Sequence, residues 1–165
     1  MKKSKDCNSR QLMHQLQAKY FSHFDAVLDK KLNEPYWLWE NEIAKIVSDS
    51  LHYNNGKEYE LWAFAIMPNH VHALISLLKN SLPLYSILQR HKRHTARQCN
   101  KFLKRTGHFW EDETYDHLVT DDEEFENITN YILNNPVKAG LVNDWREWKW
   151  NYLSQGTNCK FVRRS

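Results

Sequence analysis

Cysteine is scarce in this chain: Cys7, Cys99 and Cys159 are the three present, and they lie far apart. That spacing excludes a disulfide framework and a zinc knuckle, and it suits a reducing compartment. Long hydrophobic runs are also missing. The longest apolar stretches, residues 61–67 and 71–78, fall short of the ~18 to 20 residues that a membrane span needs. The basic opening, residues 1–11, runs into polar chain where a secretory signal would carry its hydrophobic region. No association with a membrane is expected, and the cytoplasm is the expected location. Internal repeats, low-complexity segments and linkers are absent as well. What is there is a chain of 165 residues, 41% apolar, 13% aromatic and 26% charged. Such a composition builds a globular core in which aromatic side chains supply much of the area, and the length is that of one domain, residues 1–165.

The net charge is only +3, but the charges are sorted along the chain. Residues 81–108 hold Arg90, Lys92, Arg93, Arg97, Lys101, Lys104 and Arg105 with no acidic residue among them. Residues 111–126 hold nine acidic residues and no Lys or Arg. Like charges in blocks repel, so either the two blocks neutralise each other on the folded surface or the basic one meets an outside partner such as a phosphate backbone.

Periodicity divides the chain into elements. Residues 11–32 carry Leu12, Leu16, Tyr20, Phe24, Val27, Leu28 and Leu32 mostly in steps of three and four, which predicts a helical N-terminal segment over 1–33. Glu34-Pro35 breaks it. A second helix is expected over 40–53, ended by the turn Asn54-Asn55-Gly56. Residues 59–67 and 70–78 read as two strands joined tightly through Pro68-Asn69. A helix over 83–102 has Leu84, Ile87, Leu88, His91, Thr95 and Phe102 as its apolar line, with basic residues around the rest. A short β-like stretch, 114–119, precedes a capping box opened by Thr120 with Glu123 reaching back. The helix that follows shows Phe125, Ile128 and Ile132 on one face and is expected to stop at Pro136. The Trp-rich tail, residues 143–165, reads as a covering segment. The class is α+β.

His70-Val71-His72 is the first candidate for chemistry. On a strand, residues two apart share a face, so both imidazoles project together and can present two nitrogen ligands to one metal ion. With nine histidines in the chain, two surface or half-buried histidines are the simpler account of the spacing alone. Tyr131 sits at the edge of the apolar face of its helix, as a core-margin residue or as a nucleophile. Asn135 stands four residues on; its amide can complete a metal site or merely cap the helix end. Together they fit one chemistry. A phenol ionises near pH 10 and is a poor nucleophile at neutral pH. A divalent ion beside it polarises a scissile phosphate and stabilises the leaving oxygen. Mg²⁺ prefers oxygen ligands, so a site with two imidazoles also suits Mn²⁺. The basic helix, through Arg90, Lys92, Arg93, Arg97 and Lys101, would hold the nucleic acid strand.

The wording around these residues adds a resemblance. Residues 65–75, Ala-Ile-Met-Pro-Asn-His-Val-His-Ala-Leu-Ile, resemble the metal motif of the REP-associated tyrosine transposases and their insertion-sequence relatives. Phe109-Trp110-Glu111, Tyr115-Asp116-His117 and the block 131–142, Tyr-Ile-Leu-Asn-Asn-Pro-Val-Lys-Ala-Gly-Leu-Val, resemble that family's second half in the same order. The resemblance covers about residues 37–150. It implies Tyr131 as nucleophile, His70 and His72 as metal ligands and Asn135 as a further ligand. It also implies an HUH-type, ferredoxin-like antiparallel sheet with helices on one face. The implied reaction is cleavage and rejoining of single-stranded DNA, folded as short palindromic hairpins, through a 5′-phosphotyrosine, by a monomer or homodimer. One departure stands against it: the family opens with a central strand, and none is legible before residue 59. A missing first strand favours a second reading, a hairpin-DNA binder that does not cut or an inactive, truncated remnant.

Overall fold

A computed structural model describes residues 19–26 and 36–155. Its frame is a five-stranded antiparallel sheet. In chain order the elements are β1 (Lys19–Ala26), α1 (Asn41–Asn54), β2 (Tyr59–Ile66), β3 (His70–Leu77), α2 (Leu84–Phe102), β4 (Trp110–Val119), α3 (Asp122–Lys138) and β5 (Asn151–Leu153). Across the sheet the order is β4-β1-β3-β2-β5, and every pairing is antiparallel. The first four strands with α1 and α2 make the ferredoxin-like arrangement, and β5 is added at the β2 edge.

The first strand is therefore not missing. β1 lies between β3 and β4 and pairs with both, from Lys19↔Ser76 to Asp25↔His70 on one side and from Lys19↔Val119 on the other. The helix expected over residues 11–32 is overturned where the chain is described; the remainder of that expectation lies outside the described residues. The misreading has a simple cause. Tyr20 and Phe24 are four apart, and a step of four satisfies both the helical period of 3.6 and the strand period of two.

β2 and β3 are continuous apolar runs because both faces of the sheet are covered. On β3, Val71, Ala73 and Ile75 join one core with Ile43, Val47 and Leu51 of α1 and Leu84, Ile87 and Leu88 of α2. Leu74 faces the other way, into a second core with Val119 and with Ile132 of α3. β2 supplies both cores, changing parity at a bulge between Leu61 and Ala63 that turns Trp62 and Ala63 to the same side. So the helices do not share one face: α1 and α2 cover one side, and α3 covers the other.

α3 differs from expectation at both ends. Its N-cap is Asp121, whose carboxylate accepts from the Glu124 amide at 2.8 Å, rather than Thr120. Glu124 reaches back instead of Glu123, taking the Thr120 amide at 2.6 Å and its hydroxyl at 3.0 Å while facing His117 Nε2 at 2.6 Å. These donors, led by the Thr120 amide, hold the Glu124 carboxyl down to about 2. At the far end the helix runs through Pro136 to Lys138. The missing proline amide costs a hydrogen bond only in the last turn, and the end is closed two residues later by Gly140 at φ +70°. The Gly140 amide donates to the Val137 carbonyl and the Leu141 amide to that of Pro136, the paired bonds of a Schellman turn. The tail does more than cover: β5 pairs Ala63↔Leu153 through Ala65↔Asn151.

Candidate metal and nucleophile site on the α3 face

β3 begins straight after a three-residue connection, Met67-Pro68-Asn69, in which the Met67 amide donates to the His70 carbonyl at 2.8 Å. From there the alternation that sends Val71 into the α1/α2 core turns His70 and His72 toward α3. Their rings lie 4.8 Å apart, edge to face. His70 Nδ1 is 2.8 Å from the Asn69 side-chain oxygen. A carbonyl oxygen only accepts, so Nδ1 carries the proton and the lone pair of the neutral ring sits on Nε2. Asn69, the last residue of the Met-Pro-Asn lead-in, thus orients the His70 ring. His72 is buried, 1% exposed, and stacks on Phe21 of β1 at 5.6 Å. The ladder sets Asp25 opposite His70 and His23 opposite His72.

Tyr131 projects from the middle of α3 onto this pair. Its ring is 5.5 Å from that of His72 and 6.2 Å, edge-on, from Phe21. Packed on one side, it is still 43% exposed, which leaves a face of the phenol open to an incoming group. Because α3 continues through Pro136, Asn135 is one helical turn from Tyr131, its amide nitrogen donating to the Tyr131 carbonyl at 3.0 Å. The same continuation carries Lys138 back over the tyrosine, its ammonium 4.6 Å from the ring centroid. Reading Pro136 as the helix end hid Lys138; at seven residues from Tyr131 it shares that residue's face of the helix.

The donor set fits a divalent cation that accepts imidazole nitrogen. Two imidazoles stand side by side, edge to face at 4.8 Å between ring centres, and one of them has its Nδ1 engaged by Asn69. Among the described residues no group of three or more His, Cys, Asp or Glu side chains gathers to hold a metal.

The basic residues are placed elsewhere. α2 packs on the α1 side of the sheet, so Arg90, Lys92, Arg93, Arg97 and Lys101 are separated from Tyr131 by the sheet itself. Arg93, Arg97 and Lys101 are exposed on that side. Arg90 pairs with Glu58. Lys92 is only 6% exposed, its ammonium 2.7 Å from the Glu111 carbonyl and 3.1 Å from that of Glu113, so it ties α2 to the start of β4 and leaves the exposed basic set. Phe102, expected in the apolar line of α2, is exposed, and Cys99 takes the inward place.

With this geometry established, comparison with known proteins gives a consistent answer. The family model described as "Transposase IS200 like" matches residues 32–135, more than half of the chain. The chain belongs to that family. A Haemophilus influenzae protein with the provisional name REP-associated tyrosine transposase is 28% identical over 102 residues, 56% of this chain and 58% of its own. The REP-associated tyrosine transposase of Escherichia coli is 22% identical over 120 residues, 73% of this chain and 66% of its own. The match thus spans under two thirds of either relative. A solved structure of a REP-associated tyrosine transposase bound to a REP hairpin superposes with a TM-score of 0.65 at 16% identity, covering 82% of this chain and 76% of that one. At that identity the likeness is one of fold. Among the described residues no helix is long and apolar enough to cross a membrane.

Proposed function

We propose that this IS200-like family member cleaves and rejoins single-stranded DNA, with Tyr131 as nucleophile. The observation that carries the proposal is the meeting of His70, His72 and a half-exposed Tyr131 on one face of the sheet, with Lys138 over the phenol. The Tyr131 oxygen attacks the scissile phosphorus, forming a 5′-phosphotyrosine as the bond to the 3′ oxygen breaks. The phenol gives up one proton and the departing 3′ oxygen gains one. Reversal of the same step joins a 3′ hydroxyl to the held 5′ phosphate, so one phosphodiester is exchanged for another and no external energy source is needed. A divalent cation held by His70 and His72, Mg²⁺ or Mn²⁺, with the Asn135 amide oxygen as a further donor, would polarise the phosphate and stabilise the leaving oxygen. Phe21 and His72 hold the phenol from one side, which limits its rotamers before substrate arrives. Lys138 offers its ammonium to the non-bridging phosphate oxygens, a charge that grows in importance as negative charge develops in the transition state.

The substrate class proposed is a palindromic single strand folded as a hairpin, in keeping with the relatives' names. Exposed Arg93, Arg97 and Lys101 supply a phosphate-binding surface. As they lie across the sheet from Tyr131, a strand reaching both has to pass around an edge or an end of the sheet. The ground for an inactive remnant was the missing strand, and β1 removes that ground.

The test is incubation with labelled single-stranded hairpin oligonucleotides and Mn²⁺, followed by denaturing electrophoresis. A denaturation-resistant protein–DNA adduct is expected, lost on chelation and in Tyr131→Phe. Persistence of the adduct in Tyr131→Phe would overturn the nucleophile, and its persistence in excess chelator would overturn the metal.

A further inference from the structure

The end of the sheet that bears His70 carries an aromatic ledge outside the site just described. Trp39 and Trp148 come from opposite ends of the chain, and their rings lie 6.0 Å apart, tilted by 53°. Each is fastened to the β2–β3 connection. The Leu38 amide donates to the Pro68 carbonyl at 3.0 Å, and the Trp148 indole N–H donates to the Ile66 carbonyl at 3.0 Å. The strand leaving that connection opens with His70, so the ledge stands within a few residues of the candidate metal ligands. The segment bearing Trp148 also reaches the other side: Asn151, just beyond it, donates from its amide to the Leu133 carbonyl on α3, two residues after Tyr131. The ledge therefore rims the passage between the two faces.

Its exposure is unusual for its chemistry. Trp39 is 58% exposed and the neighbouring Tyr36 59% exposed, although both belong to the most area-rich apolar types. The Trp148 indole is fixed by its bond to the Ile66 carbonyl and the Trp39 ring rests against it, so less entropy is lost when a flat partner stacks there than on an unsupported ring. The surrounding charges are mixed: Glu40 and Glu42 follow Trp39 in the chain, while Lys149 lies beside Trp148 and points its ammonium at the Asn41 amide oxygen. A patch of this kind suits the π-face of a base better than a phosphate.

We infer that Trp39, backed by Trp148, stacks an unpaired nucleobase of the single strand that flanks the scissile phosphate. The inference rests on the reading that this chain handles single-stranded DNA. Because the interaction is one of stacking, it is tolerant of base identity and contributes no counterion release.

The experiment is a titration of the whole chain with fluorescently labelled oligothymidine at several salt concentrations, for the wild type, Trp39→Ala and Trp39→Tyr. Trp39→Ala is expected to weaken binding roughly tenfold with the salt slope unchanged, and Trp39→Tyr to recover most of the loss. Thermal unfolding of each variant accompanies the titration, and Trp39→Tyr separates loss of stacking from loss of fold. A second series replaces one thymidine at a time with an abasic unit. One position is expected at which the abasic unit costs the wild type affinity and costs Trp39→Ala nothing further. Wild-type binding with Trp39→Ala unaffected, or a weakened variant whose salt slope falls, overturns the ledge while leaving the DNA reading intact. Failure of the wild type to bind either oligothymidine or hairpins overturns the DNA reading and the ledge with it.

Discussion

Acid should destabilise this fold well before its carboxylates titrate, and a buried histidine on α2 is a cause. His91 of α2 is buried at the α1–α2 interface, with Nδ1 2.8 Å from the Ser50 hydroxyl. Burial, together with the nearby charges of His94 and Lys92, pushes its pKa down to about 3 from an ordinary 6.5. The folded state therefore refuses a proton that the unfolded chain accepts. Between pH 6.5 and about 3 the unfolded state binds more protons, so stability falls as the pH falls through that window. At about 1.4 kcal/mol per pH unit below 6.5, lowering the pH from about 7 to about 5 should cost about 2 kcal/mol. Glu124 and Asp144, whose pKa values are lowered in the fold, lose their contribution only when the pH falls below the ordinary carboxylate range. The pH 7 to 5 interval therefore lies above the carboxylate range, and comparison with a variant lacking His91 singles out that residue among the histidines. Urea unfolding followed by tryptophan fluorescence, at constant ionic strength, reads it as a midpoint shift of about 1 M for an m-value of about 2 kcal/mol/M. His91→Asn keeps an amide within reach of Ser50 and cannot titrate, so it should unfold more easily at pH 7 yet respond much less to the change to pH 5. Equal pH responses of wild type and variant would refute the assignment.

Other expectations follow from single interactions. Lys92→Met should lower stability by about 2 to 4 kcal/mol, because it removes the ammonium on which the carbonyls of residues 111 and 113 depend; a change under about 0.5 kcal/mol by urea unfolding would show that the bridge is idle. Asn69→Leu should weaken Mn²⁺ binding roughly tenfold in calorimetry while leaving the fold unchanged, since it frees the His70 tautomer; equal affinity would remove Asn69 from the site. Replacing Arg93, Arg97 and Lys101 together by Gln should reduce the salt slope of single-strand binding by about 2, at roughly 0.7 for each phosphate no longer neutralised; an unaltered slope would put the phosphates elsewhere.

The candidate site was legible wherever a local rule governed it. His70 and His72 share a face because a strand repeats every two residues, and that holds in any sheet. Pairing His72 with Tyr131, some sixty residues on, was beyond such rules and came from resemblance in wording. The resemblance in turn ran past its physical support at the first strand. The four-residue step from Tyr20 to Phe24 serves helix and strand alike, and only the ladders to β3 and β4 decide between them. Pro136 misled in the opposite direction: proline forbids an amide, not a helical φ, and in a last turn closed by Gly140 the loss is tolerated. The basic block illustrates a further limit. Its seven positive residues look alike in sequence, yet Lys92 is interior, Arg90 is paired with Glu58, and Arg93, Arg97 and Lys101 stand on the far side of the sheet from Tyr131.

By itself, then, the sequence determined what short-range periodicity and hydrogen-bond chemistry determine: an α+β chain, the β2–β3 hairpin with its histidines on one face, the three described helices to within a few residues at their ends, and residue types suited to metal-assisted phosphoryl transfer. Tertiary structure alone decided that residues 19–26 are a central strand and that α3 crosses to the other face. It alone brought Lys138 over Tyr131 and set Trp39 against Trp148. The physical reason is common to all four. Each depends on which partner buries an apolar face or satisfies a backbone group, and those partners are remote in the chain.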